Sequence, residues 1–447
     1  MSSNSSSKAL TFPGGIHPDY DGKDLTRDCA IVEAPLLDQY QVIIHQNIGA
    51  PPKSIVKFGD EVKKGQVIAE AGGFVSVPLH APTSGKIAKP ANVPGPMGIN
   101  VPAIIIDADG KDEWGELMPP IDWKTSAGDE IKNRIRDAGI VGMGGAAFPA
   151  HVKLSPPPDK KIDYMILNGA ECEPYLTADH RLMLEEPEKV LAGAAILGKS
   201  IGVDKIYIGI EQNKQNAIDK LSALADKYNV KIITLKVQYP QGAEKQLIYA
   251  ATGRKVPAGG LPMESGCVVQ NVGTAAAVFD AVVEGKPLIE RITTITGTPI
   301  VKPGNWKLRI GYPLDKALEL AGGVKENPGK LILGGPMMGF AQKSIHVPLA
   351  KNSSGILLLA RHEVVQYESM PCIRCGKCVG ACPMNILPGT LSSQIESEKF
   401  DLAEQYNVMD CIECGSCAYI CPSNRPLVQH FRRAKAEINM KRRAQKK

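Results

Sequence analysis

The chain has 447 residues, more than one hydrophobic core usually organises, so about two to four domains are expected. Hydrophobic residues make up 43% of the sequence and charged residues 22%, a balance that excludes a mainly disordered or fibrous protein. The formal net charge of +5 is modest and no basic–aromatic platform is present, so nucleic-acid binding is not expected.

The two ends of the chain have distinct compositions. Residues 1–7 are serine-rich and precede no apolar stretch, so a secretory signal is not expected. No run of about 18 or more uncharged apolar residues occurs, which predicts a protein without a membrane span, soluble or peripheral through partners. The basic block at residues 431–447 predicts a solvated, frayed tail or, alternatively, a contact for an acidic partner or an anionic lipid surface. Its basic residues are Arg432, Arg433, Lys435, Lys441, Arg442, Arg443, Lys446 and Lys447.

An N-terminal extension, residues 1–27, precedes a small all-β unit at residues 28–120. Short β-prone pieces in this unit are separated by turns that contain glycine, proline and aspartate. The pattern resembles the biotinyl and lipoyl half-barrels, which attach a cofactor to a lysine at a hairpin tip. No lysine lies between Lys64 and Lys86, and Gly72-Gly73 occupy the expected tip. We therefore expect a barrel-sandwich domain without a carrier function.

Helices alternate with apolar strands over residues 125–290, which predicts an α/β domain with a largely parallel sheet. Strands are predicted at Tyr164–Asn168 and at residues 205–210, and helices at residues 130–137, 187–197 and 212–227. Residues 291–355 are rich in Thr, Gly and Val around one short helix, Leu314–Leu320, and predict a compact β-grasp unit. Residues 353–361 are expected to connect this unit to a cysteine-rich domain at residues 362–430.

Two copies of the motif Cys-x2-Cys-x2-Cys-x3-Cys-Pro are the strongest chemical signal in the sequence. They run from Cys372 to Pro383 and from Cys411 to Pro422. In bacterial ferredoxin runs of this form, three cysteines bind one 4Fe-4S cluster and the fourth binds the other cluster. By this rule the two predicted ligand sets are Cys372, Cys375, Cys378 and Cys421, and Cys382, Cys411, Cys414 and Cys417.

The spacing suits a cubane because a thiolate at every third position can surround one of its faces, while Gly376 and Gly415 allow the tight turn. Cross-ligation places the two clusters side by side, so an electron can pass between them. The alternative is a pair of structural zinc sites, whose cysteines are often spaced similarly. Two complete repeats that each end in Cys-Pro favour iron–sulfur clusters. The three other cysteines are predicted to be small buried residues: Cys29, Cys172 and Cys267.

The second chemical signal is a glycine-rich loop that opens a helix and contains Gly142, Gly144 and Gly145. Bare backbone N–H groups in such a loop can bind a phosphate, and Lys153 can neutralise its charge. A tight turn without a ligand is the alternative. The loop does not match the G-x-G-x-x-G pattern, so a conventional dinucleotide site is not predicted.

Two carboxylates, Glu171 and Glu173, follow the strand Tyr164–Asn168, at the end where α/β sheets place ligands. Their alternative role is that of solvated loop acids. Several histidines show no metal-ligand spacing, and a structural role is expected for each: His17, His45, His80, His151 and His180.

Together, these motifs resemble the RnfC family, peripheral members of Rnf ion-translocating ferredoxin:NAD oxidoreductase complexes. The resemblance covers nearly the whole chain and includes GGIHP at residues 14–18 and HQNIGAPP at residues 45–52. The middle domain is also similar to the flavin-bearing 51-kDa subunit of respiratory complex I. The resemblance implies a multidomain α/β fold with four parts: a barrel-sandwich half-barrel, a Rossmann-like FMN/NADH domain of the 51-kDa type, a β-grasp (SLBB) domain, and a ferredoxin-like α-helical domain with two 4Fe-4S clusters.

In the 51-kDa subunit, a GxGGxGFP loop wraps FMN, and a following NADEGEP segment helps to bind flavin and NADH. Glu171 and Glu173 match the second segment, which implies a catalytic role in the nicotinamide reaction. The sequence departs from the 51-kDa pattern at Ala147, at Ala150 and at Gly209-Ile210. The matching positions implied to hold noncovalent FMN are Gly142, Gly144, Gly145, Phe148, Lys153, Asn168, Glu211, Asn271 and Thr274.

The resemblance further implies an enzyme subunit that carries the NAD(H) site. Electrons from reduced ferredoxin would reach the two clusters through partner subunits, and FMN would convert single electrons into the hydride that NAD accepts. This reaction would be coupled to the transport of sodium ions or protons. The implied partners are a ferredoxin-like iron–sulfur subunit and membrane-embedded subunits of the complex. The implied location is peripheral, on the cytoplasmic side of the cell membrane.

Two other interpretations remain open at this point. A cobalamin reductase has related domain content, but it leaves the GGIHP motif and the half-barrel unexplained. A pure electron wire or docking scaffold would keep the clusters and have a vestigial flavin pocket. Flavin absorbance that NADH bleaches would distinguish an enzyme from such a scaffold.

Overall fold

The computed structural model describes residues 9–325, 327–364 and 368–445. The serine-rich start at residues 1–7 and the terminal lysines Lys446 and Lys447 lie outside these ranges. The described chain forms four units: a β unit, a parallel α/β unit, a mixed sheet with one helix, and a helical unit that carries the cysteine motifs.

The β unit consists of two antiparallel sheets that share one hydrophobic core. Strands β2, β9, β7 and β4 pair in that order, β8 pairs with β9, and β3, β5 and β6 form the second sheet, while β1 joins another unit. Val42, Ile68 and Ile106 from the two sheets pack together, as the predicted barrel-sandwich fold requires. Gly72-Gly73 lie in the bend between β5 and β6. The strands are β1 (Ile31–Glu33), β2 (Gln39–Ile43), β3 (Lys53–Ser54), β4 (Glu61–Val62), β5 (Val67–Glu70), β6 (Leu79–His80), β7 (Gly85–Ile87), β8 (Ala91–Pro94) and β9 (Asn100–Ala108).

The α/β unit has a fully parallel four-stranded sheet, in the order β12, β11, β10, β13, which confirms the predicted sheet. Its elements are α1 (Gly128–Asp137), α2 (Ala150–Lys153), β10 (Tyr164–Asn168), α3 (Ala178–Glu185), α4 (Pro187–Ser200), β11 (Ile206–Glu211), α5 (Gln215–Ala225), β12 (Val230–Leu235), α6 (Glu244–Thr252), β13 (Cys267–Asn271) and α7 (Val272–Val283). The helix predicted at residues 212–227 is α5, with a 3-10 turn at each end.

The parallel sheet is buried on both faces. Met165 and Leu167 of β10 face one helical layer, and Ile166 faces the other. Strands covered on both sides have continuous apolar sequences, which is why these strands were recognisable in the sequence. The carboxyl ends of β10, β11 and β13 meet at one edge, where the last residues of the three strands are Asn168, Glu211 and Asn271.

The third unit is a mixed sheet in the order β1, β15, β14, β18, β16, β17, with α8 packed against it. Residues 353–361 are not the simple connection that the sequence predicted. The apolar run Gly355–Ala360 instead forms a strand between β14 and β16, because its side chains are buried there. The elements are β14 (Glu290–Thr296), β15 (Gly304–Arg309), α8 (Leu314–Leu320), β16 (Pro328–Leu333), β17 (Phe340–Ala341) and β18 (Gly355–Ala360).

The helical unit builds its core around the longest helix, α13. Leu391, Val408 and Phe431 are buried together with several of the motif cysteines. No helix of the described ranges is long and apolar enough to cross a membrane. The helices are α9 (Lys377–Ala381), α10 (Pro388–Glu396), α11 (Phe400–Gln405), α12 (Ser416–Tyr419) and α13 (Leu427–Gln445).

The basic block at the C-terminus is not the frayed tail that its composition predicted. It forms most of α13, whose apolar side is buried through Phe431, Ala434 and Ile438. Its basic side chains pair with carboxylates of the same unit, for example Arg433 with Glu398 at 2.6 Å. Exposed pairs of this kind contribute only about 0–1 kcal/mol each, so the apolar side provides most of the docking energy. The other pairs are Arg432 and Lys435 with Glu413, Lys441 with Asp401, and Arg442 with Glu404.

Replacing Ile438 by alanine tests this docking. The side chain is 2% exposed, so its loss should destabilise the helical unit by about 2–5 kcal/mol. The urea midpoint for loss of cluster absorbance in the full chain measures the effect. Met440 lies on the same helix and is 62% exposed, so Met440→Ala should change stability by less than about 0.5 kcal/mol. Equal midpoints for the two variants would contradict the docked helix.

Candidate functional site

The eight motif cysteines lie in two groups, each with three cysteines from one motif and one from the other. In the first group, a Cβ atom built on Gly389 would be 3.7 Å from the Cys378 sulfur and 3.8 Å from the Cys372 sulfur. Burial raises the pKa of the Cys378 thiol, and the nearby Cys421, Cys372 and Cys375 raise it further. We call this group the outer set: Cys372, Cys375, Cys378 and Cys421.

The second group, which we call the inner set, is Cys382, Cys411, Cys414 and Cys417. Burial raises the pKa of Cys411 to about 11, and neighbouring Cys414 and Cys382 add to the shift. These thiols line one enclosed cavity together with Phe431. Cys372 and Cys375 of the outer set are exposed, whereas three members of the inner set are buried. The outer set therefore faces solvent and the inner set lies inside the protein.

Backbone geometry presents N–H groups to the cysteine sulfurs. Gly376 and Gly415 adopt the left-handed conformation and begin the short helices α9 and α12. The N–H of Glu413 donates to the sulfur of Cys411 at 3.3 Å. In the described ranges, no group of three or more His, Cys, Asp or Glu side chains is arranged around a single metal ion. A 4Fe-4S cluster makes a different demand, because its four cysteines stand around a cage of four irons.

The inner set lies directly against the α/β unit. The hydroxyl of Tyr239 donates to the backbone carbonyl of Cys414 at 2.7 Å. Tyr239 is 2% exposed and packs in one apolar cluster with Cys414, Ile16 and Ala381. Any group held by the inner set is therefore in contact with the α/β unit.

The glycine loop of the α/β unit is open on one side. Gly144 and Gly145 are exposed, and a Cβ atom on Gly145 would have no neighbour within 4 Å. The N–H of Gly142 donates to the carbonyl of Phe148 at 2.8 Å, which closes the base of the loop. Among the described residues, none accepts a hydrogen bond from the N–H of Gly144, Gly145 or Ala146. These three N–H groups are free to bind an anion.

The N-terminus of the twelve-residue helix α7 supports this loop. Asn271 caps the helix, because its side-chain oxygen accepts from the N–H of Gly273 at 2.8 Å. The hydroxyl of Thr274 accepts from the N–H of Met143 in the loop at 2.9 Å. The preceding residue, Gln270, is 2% exposed, and its side-chain nitrogen has no partner among the described residues. The structure thus brings the loop, Asn271 and Thr274 together at one edge of the sheet.

The loop at residues 168–174 holds its carboxylates in hydrogen bonds with the backbone. Glu171 accepts from the N–H of Asp179 at 2.7 Å and from that of His180 at 3.2 Å. Glu173 accepts from the N–H of Met337 at 2.8 Å and from that of Met338 at 2.9 Å. The two acids therefore fix the loop to α3 and to the third unit. Burial raises the pKa of Glu173, against the lowering effect of these N–H donors.

The remaining nominated residues are held in buried polar contacts. Asn168 donates to the carbonyl of Gly242 at 2.7 Å. Glu211 is 1% exposed and accepts from the ammonium group of Lys214 at 3.2 Å. Lys153 donates to Glu244 at 2.6 Å, so its charge is paired beside the sheet.

Sequence reasoning missed several buried charged residues at this edge. Asp179 is bonded to the Asn271 amide at 2.7 Å, and burial followed by the charge of Glu171 raises its pKa to about 7. Burial lowers the pKa of Arg291 to about 10, and its guanidinium donates to the carbonyl of Lys351 at 2.7 Å. The signal for Asp179 was its place in the segment after Glu173, inside an otherwise apolar helix.

These observations fit a flavin nucleotide at this edge. The free N–H groups of the glycine loop and the N-terminus of α7 suit a phosphate. The unpartnered Gln270 amide and the acidic cluster around Glu171 suit the polar edge and hydroxyl groups of the same molecule. The site is built from several strand ends of a parallel sheet, where α/β folds place their ligands.

Four family models match the chain in sequence order. The model of the RnfC barrel sandwich hybrid domain matches residues 10–111, and that of the Nuo51 FMN-binding domain matches residues 135–280. The SLBB domain model matches residues 292–341, and the 4Fe-4S dicluster domain model matches residues 364–422. The matches agree with the four units of the fold.

One solved structure illustrates the fold. The NAD+-reducing [NiFe]-hydrogenase in its H2-reduced state aligns with a TM-score of 0.53 at 18% identity, over 74% of this chain and 69% of that one. At this identity the similarity supports the fold alone.

Curated relatives match nearly the whole chain. The RnfC-type member of the proton-translocating ferredoxin:NAD(+) oxidoreductase complex of Clostridium ljungdahlii is 50% identical over 96% of this chain and 94% of the relative. Its counterpart in the Na(+)-translocating complex of Acetobacterium woodii is 46% identical over 97% of this chain and 98% of the relative. The counterpart in an ion-translocating oxidoreductase complex of Rhodobacter capsulatus is 42% identical, over 97% and 84%. The chain therefore belongs to the RnfC family of ion-translocating ferredoxin:NAD(+) oxidoreductase complexes.

Proposed function

We propose that this chain is the NAD(H)-binding, electron-transferring subunit of an ion-translocating ferredoxin:NAD oxidoreductase. It passes electrons between two 4Fe-4S clusters and a noncovalent FMN. The observation that carries the proposal is the order of the cysteine sets. The outer set is exposed, and the inner set contacts the α/β unit through the hydrogen bond from Tyr239 to Cys414.

The two cysteine sets define the direction of approach for partners. A cluster on the outer set is accessible to an iron–sulfur or flavin group of another protein, because Cys372 and Cys375 are exposed. A cluster on the inner set is shielded and neighbours only the rest of this chain. We propose that partner subunits exchange electrons with the outer cluster, and that the inner cluster connects it to the flavin site.

The residues at the edge of the sheet would hold FMN in defined ways. The N–H groups of Gly144 and Gly145 and the N-terminus of α7 would bind its phosphate. Asn168, Glu211, Asn271 and Thr274 would shape the polar side of the pocket, and Phe148 and Lys153 would border it. When bound, FMN supplies the conversion between one-electron transfer at clusters and two-electron exchange with NAD. Two electrons that arrive singly and one proton make up the hydride.

The acids Glu171 and Glu173 act in this proposal through the loop at residues 168–174. Glu171 holds the loop to the N-terminus of α3, and Glu173 holds it to the turn at Met337. The loop then presents its remaining groups to the nicotinamide nucleotide at a fixed place. This assigns both acids to the nicotinamide reaction, with positioning as their contribution.

The cellular setting follows from the named relatives. The first two belong to complexes that translocate protons or sodium ions. We propose that this chain is a peripheral subunit on the cytoplasmic side of the membrane. Its partners are a ferredoxin-like iron–sulfur subunit and membrane-embedded subunits that move the coupling ion.

The proposal is tested by the cofactors and their response to NADH. Full-length protein purified without oxygen should contain about eight irons and one extractable flavin per chain. Addition of NADH should bleach the flavin absorbance and then the cluster absorbance. Apoprotein refilled with iron and sulfide alone should keep the irons and lose the NADH response. About four irons, zinc in place of iron, or a flavin that NADH does not bleach would refute the proposal.

Double cysteine variants test the assignment of each cluster. Cys382→Ser and Cys411→Ser together should damage one cluster, since both belong to the inner set, whereas Cys382→Ser with Cys372→Ser should damage both clusters. Electron paramagnetic resonance of the reduced variants counts the clusters that survive. Two clusters lost in the first pair and one in the second would show that each motif binds its own cluster.

A further inference from the structure

The N-terminal extension contains a segment that neither the clusters nor the flavin site explains. We call residues 14–19, which include the GGIHP motif, the strap. The strap lies between the α/β unit and the helical unit and is hydrogen-bonded to both. Its role can be read from its contacts on each side.

On the α/β side, the strap pairs with the chain just after β12. The N–H of Ile16 donates to the carbonyl of Tyr239 at 2.8 Å, and the N–H of Tyr239 donates to the carbonyl of Ile16 at 2.9 Å. These bonds hold the backbone of Tyr239 from one side. The Tyr239 hydroxyl is then aimed at the Cys414 carbonyl, 2.7 Å away.

On the cluster side, the strap contacts the ends of both cysteine motifs. The N–H of Gly15 donates to the carbonyl of Ala381, the residue before Cys382, at 3.0 Å. The N–H of Asp19 donates to the hydroxyl of Tyr419 at 3.0 Å, two residues before Cys421. The strap therefore holds the helical unit at the two cysteines that cross between the motifs.

The two glycines of the strap permit this close approach. A Cβ atom on Gly14 would lie 2.9 Å from the Cys382 carbonyl oxygen, and one on Gly15 would lie 2.5 Å from the Tyr239 carbonyl oxygen. Both glycines have positive φ angles, +87° and +80°. Any other residue would push the strap away from the backbone of the ligand loop or of Tyr239.

Beyond the strap, the chain continues into the flavin site. Lys23 is 6% exposed, and its ammonium group donates to the backbone carbonyls of Glu173, at 3.0 Å, and Leu176. Burial lowers the pKa of Lys23, while the charge of Glu171 acts in the opposite direction. One short stretch of chain therefore contacts the inner set, Tyr239 and the loop at residues 168–174.

We infer that the strap and Tyr239 are positioning elements that fix the distance between the inner cluster and the flavin site. This inference rests on the proposed function. The geometry gives the reason: the two redox groups are held by different units of the chain, and the strap is bonded to both units at the point of contact. Electron exchange depends on this fixed separation, whereas hydride exchange at the flavin does not.

The test uses Gly15→Ala in the full-length, cofactor-loaded protein. Hydrogen exchange at the amides of Ile16 and Tyr239 should become faster, because the new methyl group displaces the strap. The rate at which NADH reduces the clusters in stopped flow should fall roughly ten- to a hundredfold, as expected when reacting groups shift by about 1 Å. NADH oxidation with ferricyanide, which can take electrons at the flavin, should stay within about twofold of wild type.

Gly98→Ala is the matched control. Gly98 has almost the same φ angle, +78°, but a Cβ atom there would meet nothing within 4 Å. This variant should change neither hydrogen exchange at Tyr239 nor cluster reduction. If Gly15→Ala fails to fold, Tyr239→Phe removes only the hydroxyl that bonds Cys414, and it should also slow cluster reduction.

The outcomes separate the inference from the proposed function. Faster hydrogen exchange with unchanged cluster reduction would overturn the inference, because the strap would then be structural only. Unchanged exchange at Ile16 and Tyr239 in Gly15→Ala would overturn it as well. A wild-type protein whose flavin does not respond to NADH would instead refute the proposed function, and the effect of Gly15→Ala on hydrogen exchange would still be measurable.

Discussion

The hydrogen bond from the Tyr239 hydroxyl to the Cys414 carbonyl joins the two halves of the molecule that bind cofactors. A buried phenol needs a partner, because an unsatisfied hydroxyl costs about 1–3 kcal/mol. In this structure the partner is the backbone of a predicted cluster ligand, so satisfying the tyrosine also fixes the helical unit. The exposure of the outer set, the burial of the inner set and the course of the strap are all consistent with this one contact.

Buried charge is the second constraint on the site. Lys214 bonds both Glu211 and the carbonyl of Ala170, and Asp179 bonds Asn271, so each charge at the sheet edge has a specific partner. Removing one member of a buried pair leaves the other uncompensated, at a cost of about 3–5 kcal/mol. Such a network keeps the loop at residues 168–174 in one conformation before any ligand arrives. The site is therefore preorganised by groups that do not themselves touch the substrate.

The sequence was most informative where local spacing carries the information. The strands of the parallel sheet are continuous apolar runs, and the cysteine motifs have a spacing tied to one type of cofactor, so both could be predicted. β18 was missed because it closes a sheet with strands distant in sequence, and its apolar run follows a turn that resembles a linker. The helix α13 was interpreted as a tail because its basic residues dominate the composition. Its buried face, with Phe431 and Ile438, recurs only at widely spaced positions.

Long-range contacts at the site could not be predicted for the same reason. Nothing near Tyr239 in the sequence indicates that its hydroxyl meets a residue at position 414. Glu173 was expected near the nicotinamide, and its bond to the N–H of Met337 depends on how the third unit docks. The GGIHP motif was visible, but its partners, the backbones of Ala381 and Tyr239, are set only by the assembled fold.

The central claim is that the inner cluster lies between the outer cluster and the flavin site. Anomalous diffraction at the iron edge, from crystals of the full-length protein grown without oxygen, tests it most directly. We predict two iron sites of four atoms each, with the site bound by Cys414 beside Tyr239 and nearer to the loop at residues 168–174 than the other. One iron site, zinc at either position, or an outer cluster nearer to that loop would contradict the account.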